Sequence, residues 1–200
     1  GKTMKRIDDR RFDEIRPVKV IPDYVIYPEG SILISMGNTK VLCNVTIERS
    51  IPNWMKASGK AGGWITAEYS LLPRSTDKRT NRETRGLRGR TQEIRRLIGR
   101  ALRAGFDLEM LGEHTCILDC DVIQADGGTR TSAITGGYLA IWLALRKMVK
   151  NGSLPAAVFL DPIAAISVGV LAGEPLLDLN YQEDSAADVD MNLVMNAQGE

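Results

Sequence analysis

The sequence predicts an α+β fold, with helices packed on mixed or antiparallel sheets. Three observations carry this. Apolar alternation at period two marks strands at both ends of the chain. Two longer runs between them repeat at helical spacing. The resulting order, strands, helix, strand, helix, strands, is that of a sheet protein with helices packed on its faces.

Pro17 to Tyr27 reads as a strand pair or bent strand. Ile32, Ile34 and Met36 alternate, Gly37-Asn38 turns, and Val41, Cys43, Val45 and Ile47 return, which predicts a hairpin over 31–47. Trp54 to Gly63 is glycine-rich and reads as a loop, and Trp64 to Leu72 as a short strand. Pro73 to Gly89 is polar and arginine-rich and is expected to be exposed and mobile. Ile94, Leu97, Ile98, Ala101, Leu102 and Gly105 place a helix over 91–110. His114 to Gln124 is another strand, broken by Gly127-Gly128. Thr129 to Lys150 forms a second helix, ended by Asn151-Gly152. Residues 163–171 and 176–181 pair around Gly173-Glu174-Pro175, and 190–195 form a last strand before a turn at 196–199. No low-complexity linker divides the chain.

Composition removes several classes of function. With 200 residues and 44% hydrophobic content, the chain can bury a real core. No apolar run approaches the roughly 20 residues of a membrane helix, and the charged start has no signal-like apolar stretch. A cytoplasmic protein with no membrane partner is expected. Cys43, Cys116 and Cys120 read as small buried hydrophobes. No CxxC occurs and His114 is the only histidine, which argues against zinc, against a histidine-pair ribonuclease and against a Ser-His-Asp triad. Gly1-Lys2-Thr3 resembles the end of a Walker A motif but lacks the strand and glycine loop that would cradle a nucleotide.

Three constellations remain. Arg90 and Arg130 each fall in the first turn of an expected helix, beside Gly89 and Gly128-Thr129. Helix starts offer free N–H groups, and an adjacent guanidinium adds a fork for phosphate; alternatively the helices are merely capped and the arginines solvated. Asp184, Asp188 and Asp190, with Asp178 upstream, form an acidic cluster in which Asp184 leaves one strand and Asp190 starts the next. A short loop could bring both to one magnesium ion, or these aspartates serve turns. Finally, the net charge of +1 hides a segregated block: residues 74–103 hold eleven Lys or Arg against Asp77, Glu83 and Glu93, a net of +8 that leaves −7 elsewhere. Such a block points to a polyanionic partner, or to a solvated loop.

The literal residues go further. Asp13-Glu14-Ile15-Arg16-Pro17, Gly37-Asn38-Thr39-Lys40-Val41-Leu42-Cys43, Gly63-Trp64-Ile65-Thr66-Ala67-Glu68-Tyr69, Leu72-Pro73-Arg74-Ser75-Thr76 and Gly89-Arg90-Thr91 occur in that order. Leu118-Asp119-Cys120-Asp121-Val122, Gln124 through Thr131, Asp178-Leu179-Asn180-Tyr181 and Glu183-Asp184-Ser185-Ala186-Ala187 to Asp190-Met191-Asn192 follow. Together they resemble the bacterial RNase PH family, collinearly from Arg10 onward. The resemblance implies a ribosomal-protein-S5-domain-2-like α+β fold. It implies a first domain over 10–150 and the start of a second over 156–200, with a further strand and helix expected beyond. It also implies a hexameric ring, a trimer of dimers, that trims tRNA precursors, and possibly rRNA, from their 3′ ends by phosphorolysis and releases nucleoside diphosphates.

In the family's pattern Arg90, Gly128, Thr129 and Arg130 hold inorganic phosphate. Asp184 and Asp190 are the catalytic or Mg2+-binding carboxylates, and Arg74, Arg79 and Arg82 contact tRNA. Two rivals stand beside this reading. One is a non-catalytic RNA-binding ring subunit of an exosome-like assembly, which is expected to lose the phosphate arginines or the acidic pair. The other is a hydrolytic two-metal exonuclease, which needs more clustered carboxylates.

Overall fold

The computed structural model describes residues 4–200, and Gly1-Lys2-Thr3 lies outside the described residues. In chain order the elements are β1 Val18–Pro22, β2 Gly30–Met36, β3 Thr39–Glu48, α1 Asn53–Ser58, β4 Trp64–Leu71, α2 Gly89–Arg103 and β5 Thr115–Gln124. They continue with α3 Thr129–Lys150, a 3-10 turn Ala156–Val158, β6 Ile163–Leu171, β7 Glu174–Leu177, α4 Tyr181–Ala186 and β8 Val189–Asn196. The fold is the expected α+β.

Five strands form one sheet in the order β1-β2-β3-β5-β4, antiparallel except for β4 beside β5. Three form a second sheet, β7-β6-β8, all antiparallel. The hairpin lies where Gly37-Asn38 put it, with Met36 opposite Thr39.

Helix α3 lies between the two sheets, touching β2, β3 and β5 on one side and β6 on the other. It is therefore apolar nearly all round, as a buried helix must be: Ala133, Ile134, Ala140, Ile141, Ala144 and Leu145 are buried. Gly136 lets it come close, since a Cβ there would meet Ile34 Cγ2 at 2.7 Å and Cys43 Sγ at 3.0 Å. All three cysteines are free and buried, as expected of small hydrophobes. Burial pushes the Cys116 thiol up to about 12, so it is not a reactive thiolate.

Four boundaries differ from expectation. The stretch 17–27 gives only the five residues of β1; Pro22 lacks a ladder donor and Asp23 turns to φ +50°. The glycine-rich 54–63 segment contains α1: Met55 is fully buried, and Gly59 closes the helix in the left-handed region, so that glycine marks a helix end. Helix α2 stops at Arg103 instead of 110. Buried Phe106 stacks on Tyr138 at 5.2 Å, and the backbone there bridges to Phe159, with Asp107 N–H donating to the Val158 carbonyl at 2.9 Å. Residues 176–181 are not one strand: β7 ends at Leu177, Asp178 has φ +58°, and Tyr181 opens α4. Asn180 caps that helix by accepting from Glu183 N–H while the Glu183 carboxylate accepts from Asn180 N–H, a reciprocal box.

Candidate active site

Both expected helix starts exist, and both are bare. Arg90 is the second residue of α2 and Arg130 the second of α3. Neither helix has a side-chain N-cap hydrogen bond or an acidic residue in its first turn. The N–H groups at an unfilled N-terminus face solvent with partial positive charge, and a guanidinium beside them completes an anion site.

The glycine loop before α3 is held from behind. Thr39 Oγ1 donates to the Gly127 carbonyl at 2.6 Å and accepts from Asp126 N–H at 2.9 Å. Arg16 donates to the Asp126 carbonyl at 2.7 Å and the Gly127 carbonyl at 3.1 Å. The Asp178 carboxylate in turn grips Arg16 at 2.8 and 2.9 Å. Gly127 and Gly128 both have positive φ, +79° and +70°. A Cβ on Gly127 would sit 2.6–2.8 Å from backbone atoms of Leu179, Asn180 and Tyr181. The loop thus rests directly on the start of α4, which carries Asp184.

Asp184 is a helix residue rather than part of a strand's exit, and Asp190 is the second residue of β8. The two carboxyls are near enough for Asp190 to act on the ionisation of Asp184. Partial burial, with the neighbouring Asp190 carboxyl, raises the Asp184 carboxyl above its ordinary value, although Arg130 and Arg90 pull it down. The charges of both arginines thus reach Asp184, on the far side of the glycine loop from their own helices' sheet. The other two acidic candidates fall away. Asp178 is buried in the Arg16 and Arg10 network. Asp188 is exposed like Asp184 and Asp190, but it is not among the groups that act on Asp184, and its N–H is bonded to the Val170 carbonyl at 2.9 Å. Among the described residues, no group of three or more His, Cys, Asp or Glu could hold a metal. The two carboxylates are of the chemistry taken by an oxygen-seeking cation such as Mg2+, which uses one or two protein carboxylates and leaves its other positions to water and phosphate.

Three further groups escaped sequence reasoning. Tyr69, near the end of β4, meets Thr129 Oγ1 with its hydroxyl at 2.8 Å. Arg6 donates to both Glu183 oxygens at 2.8 and 2.9 Å and to the Asp178 carbonyl at 2.9 Å, with Arg10 beside it. Burial opposes ionisation of Glu183. Hydrogen bonds from Arg6 and the Asn180 N–H, with the charges of Arg6 and Arg10, outweigh it and hold this carboxyl below its ordinary value. Of these groups, the reciprocal cap was open to a sequence reading, as Asn followed three positions later by Glu.

The basic block divides. Arg74 and Arg79 are exposed, with only the local partners Asp77 carbonyl and Asn81 Oδ1. Arg82 lines a 540 Å³ cleft with Glu68, Asp119 and Asp121. The loop's start is tied down, since Ser75 and Pro73 carbonyls accept from Ala125 and Thr80. Arg95 and Arg103 are committed elsewhere: they donate to the Ala67 and Ile65 carbonyls on the free edge of β4. Arg103 also lies 4.3 Å from the Trp64 ring centroid. His114 gives its Nδ1 to the Leu111 carbonyl and sits at the opposite end of β5 from the glycine loop.

A family model for the 3′ exoribonuclease family, domain 1, matches residues 14–146, and that for domain 2 matches 161–200. Ribonuclease PH of Bacillus velezensis is 56% identical over 197 residues, 97% of this chain and 80% of the relative. That of Bacillus subtilis is 55% identical over the same length and the same shares. That of Syntrophomonas wolfei is 51% identical over 199 residues, 98% of this chain and 82% of the relative. The fold is shared with the crystal structure of rice Rrp46, at TM-score 0.77 and 21% identity over 96% of this chain and 79% of that one. It is shared too with the Archaeoglobus fulgidus exosome with RNA bound to the active site, at 0.79 and 20% over 97% and 78%. With both halves matched and more than half of the residues identical to several ribonucleases PH, the chain belongs to the 3′ exoribonuclease family, RNase PH branch.

Proposed function

We propose that the site performs phosphorolysis: inorganic phosphate attacks the last phosphodiester of an RNA 3′ end and a nucleoside diphosphate leaves. One observation carries this reading. Two helix starts without a side-chain cap each carry an arginine in the first turn, and both arginines act electrostatically on Asp184, which also feels Asp190. Arg90, Arg130, Thr129 and the N–H groups beyond Gly128 hold the phosphate, and the guanidinium charges offset the charge that develops on the transferred phosphoryl oxygens. A phosphate oxygen bonds to the terminal phosphorus, the bond from phosphorus to the 3′ oxygen breaks, and that oxygen gains a proton. Asp184, whose carboxyl is raised above its ordinary value, is a candidate donor of that proton. Asp184 and Asp190 are also the residues that would hold Mg2+, which supplies charge stabilisation at the leaving oxygen.

The RNA partner is tRNA-like, with Arg74, Arg79 and Arg82 meeting its phosphates. A homohexamer in the cytoplasm completes the reading. Exposed Ile26 and Tyr27, 85% and 92% accessible, support self-association at the edge beside β1. The alternative, a non-catalytic RNA-binding subunit, is disfavoured because the arginines and both aspartates stand together here. Thin-layer chromatography of 3′-tailed RNA incubated with phosphate and Mg2+ tests the reading. Nucleoside diphosphate is expected, and monophosphate as the sole product overturns it.

A further inference from the structure

We propose that Tyr69 is a positioning residue, which sets the Thr129 hydroxyl as a hydrogen-bond donor to the attacking phosphate. The proposal rests on the phosphorolytic reading of the site. Tyr69 is 8% accessible and packs its ring in the core between the five-stranded sheet and the helices. Its hydroxyl emerges from that core against Thr129, the first residue of α3, at 2.8 Å.

Two hydroxyls at this distance can be arranged either way. In the proposed arrangement Tyr69 donates, which leaves the Thr129 hydrogen uncommitted in a neighbourhood where Arg130 and Arg90 supply positive charge. Burial pushes the phenol above its ordinary value, so it stays a neutral donor across working pH. Once Thr129 Oγ1 accepts from Tyr69, its own hydrogen is free to point at an anion between the two helix starts. A donor fixed before the substrate arrives needs no reorganisation when charge moves onto the phosphate.

Tyr69→Phe removes one oxygen and keeps the ring. The variant is expected to raise the phosphate KM by about three- to tenfold, the value of one ordinary hydrogen bond, with RNA affinity and melting temperature held. In a Thr129→Val background the same change is expected to add nothing; in a Thr129→Ser background, which keeps the hydroxyl, it keeps its effect. An unchanged phosphate KM in Tyr69→Phe, or a full-sized effect in the Thr129→Val background, overturns the proposal. The unsubstituted protein is assayed alongside. If its RNA decay needs no phosphate, the phosphorolytic reading fails first, and that outcome is distinct from failure of the Tyr69 proposal alone.

Discussion

At the scale of single residues, the site sets accessible charges beside helix starts without side-chain caps. Arg90 is exposed on an uncapped helix start, so removing it costs the fold little and the anion much. Arg90→Ala is expected to raise the phosphate requirement and slow turnover on the order of a hundredfold, with RNA binding nearly unchanged. Steady-state kinetics against phosphate checks this; intact phosphate dependence with collapsed RNA affinity would move Arg90 to the RNA surface. Asp190 acts on the ionisation of Asp184, and in the proposed function the two form one unit. Asp184→Asn and Asp190→Asn should each abolish single-turnover decay, and the double variant should cost little more than either, since members of one catalytic unit are far from additive. Near-normal rates for Asp190→Asn at ordinary Mg2+ would separate the two. The arginines and this pair were legible from sequence because glycine and threonine before a periodic run, and aspartates around a short loop, are local signals. Arg16 with Asp178 was not, because its members lie 162 positions apart and no local pattern marks a buried ion pair. Tyr69 was read only as a strand residue, since nothing in its neighbours says where the hydroxyl goes.

Among the elements, those bounded by chemistry were readable and those bounded by packing were not. Helix α3 begins and ends as expected because Gly127-Gly128 and Asn151-Gly152 stop the chain locally. Helix α2 ends early because Phe106 has a better place against Tyr138 and Phe159 than in another helical turn. Helix α4 was hidden by its six-residue length, too short for periodicity, although its reciprocal cap is written in Asn180 and Glu183. The basic loop between β4 and α2 is a different case, legible as charge but not as geometry. Two arginines of α2 serve the edge of β4, whose unpaired carbonyls would otherwise invite another strand, so not all of the +8 is available to RNA. Neutralising Arg74, Arg79 and Arg82 together should flatten the salt dependence of tRNA binding by up to about 0.9 log units per lost duplex contact. A filter-binding titration over salt measures the slope, and an unchanged slope would make this loop merely solvated.

On the scale of the whole molecule, α3 lies between the two sheets and the N-terminal arginines add a tie to the smaller one's side. Arg6 and Glu183 are both buried and bidentate, and they tie residues before β1 to the helix that carries Asp184. The Glu183 carboxyl lies below its ordinary 4.5 in the folded protein. A depressed carboxyl stabilises fully above the unfolded value and loses that contribution as pH falls through the folded one. Melting temperatures of the unsubstituted protein and Glu183→Gln should therefore differ most above pH 4.5 and converge as pH falls below it. At neutral pH the substitution strands Arg6 in the interior, a loss of about 3–5 kcal/mol. A gap that stayed constant from pH 7 to 3 would show that charge is not what joins these parts.

The Arg6–Glu183 tie also sets a timetable for the newborn chain. Its partners are 177 residues apart, so at about 5–20 residues per second the ribosome delivers the second roughly 10–35 s after the first. By residue 150 the large sheet, α2, α3 and the glycine loop have all been made. A nascent chain at that stage has both Arg90 and Arg130 but neither Asp184 nor Asp190. Chemistry that needs both aspartates therefore waits until β8 has been made and Arg6 has closed on Glu183 of α4.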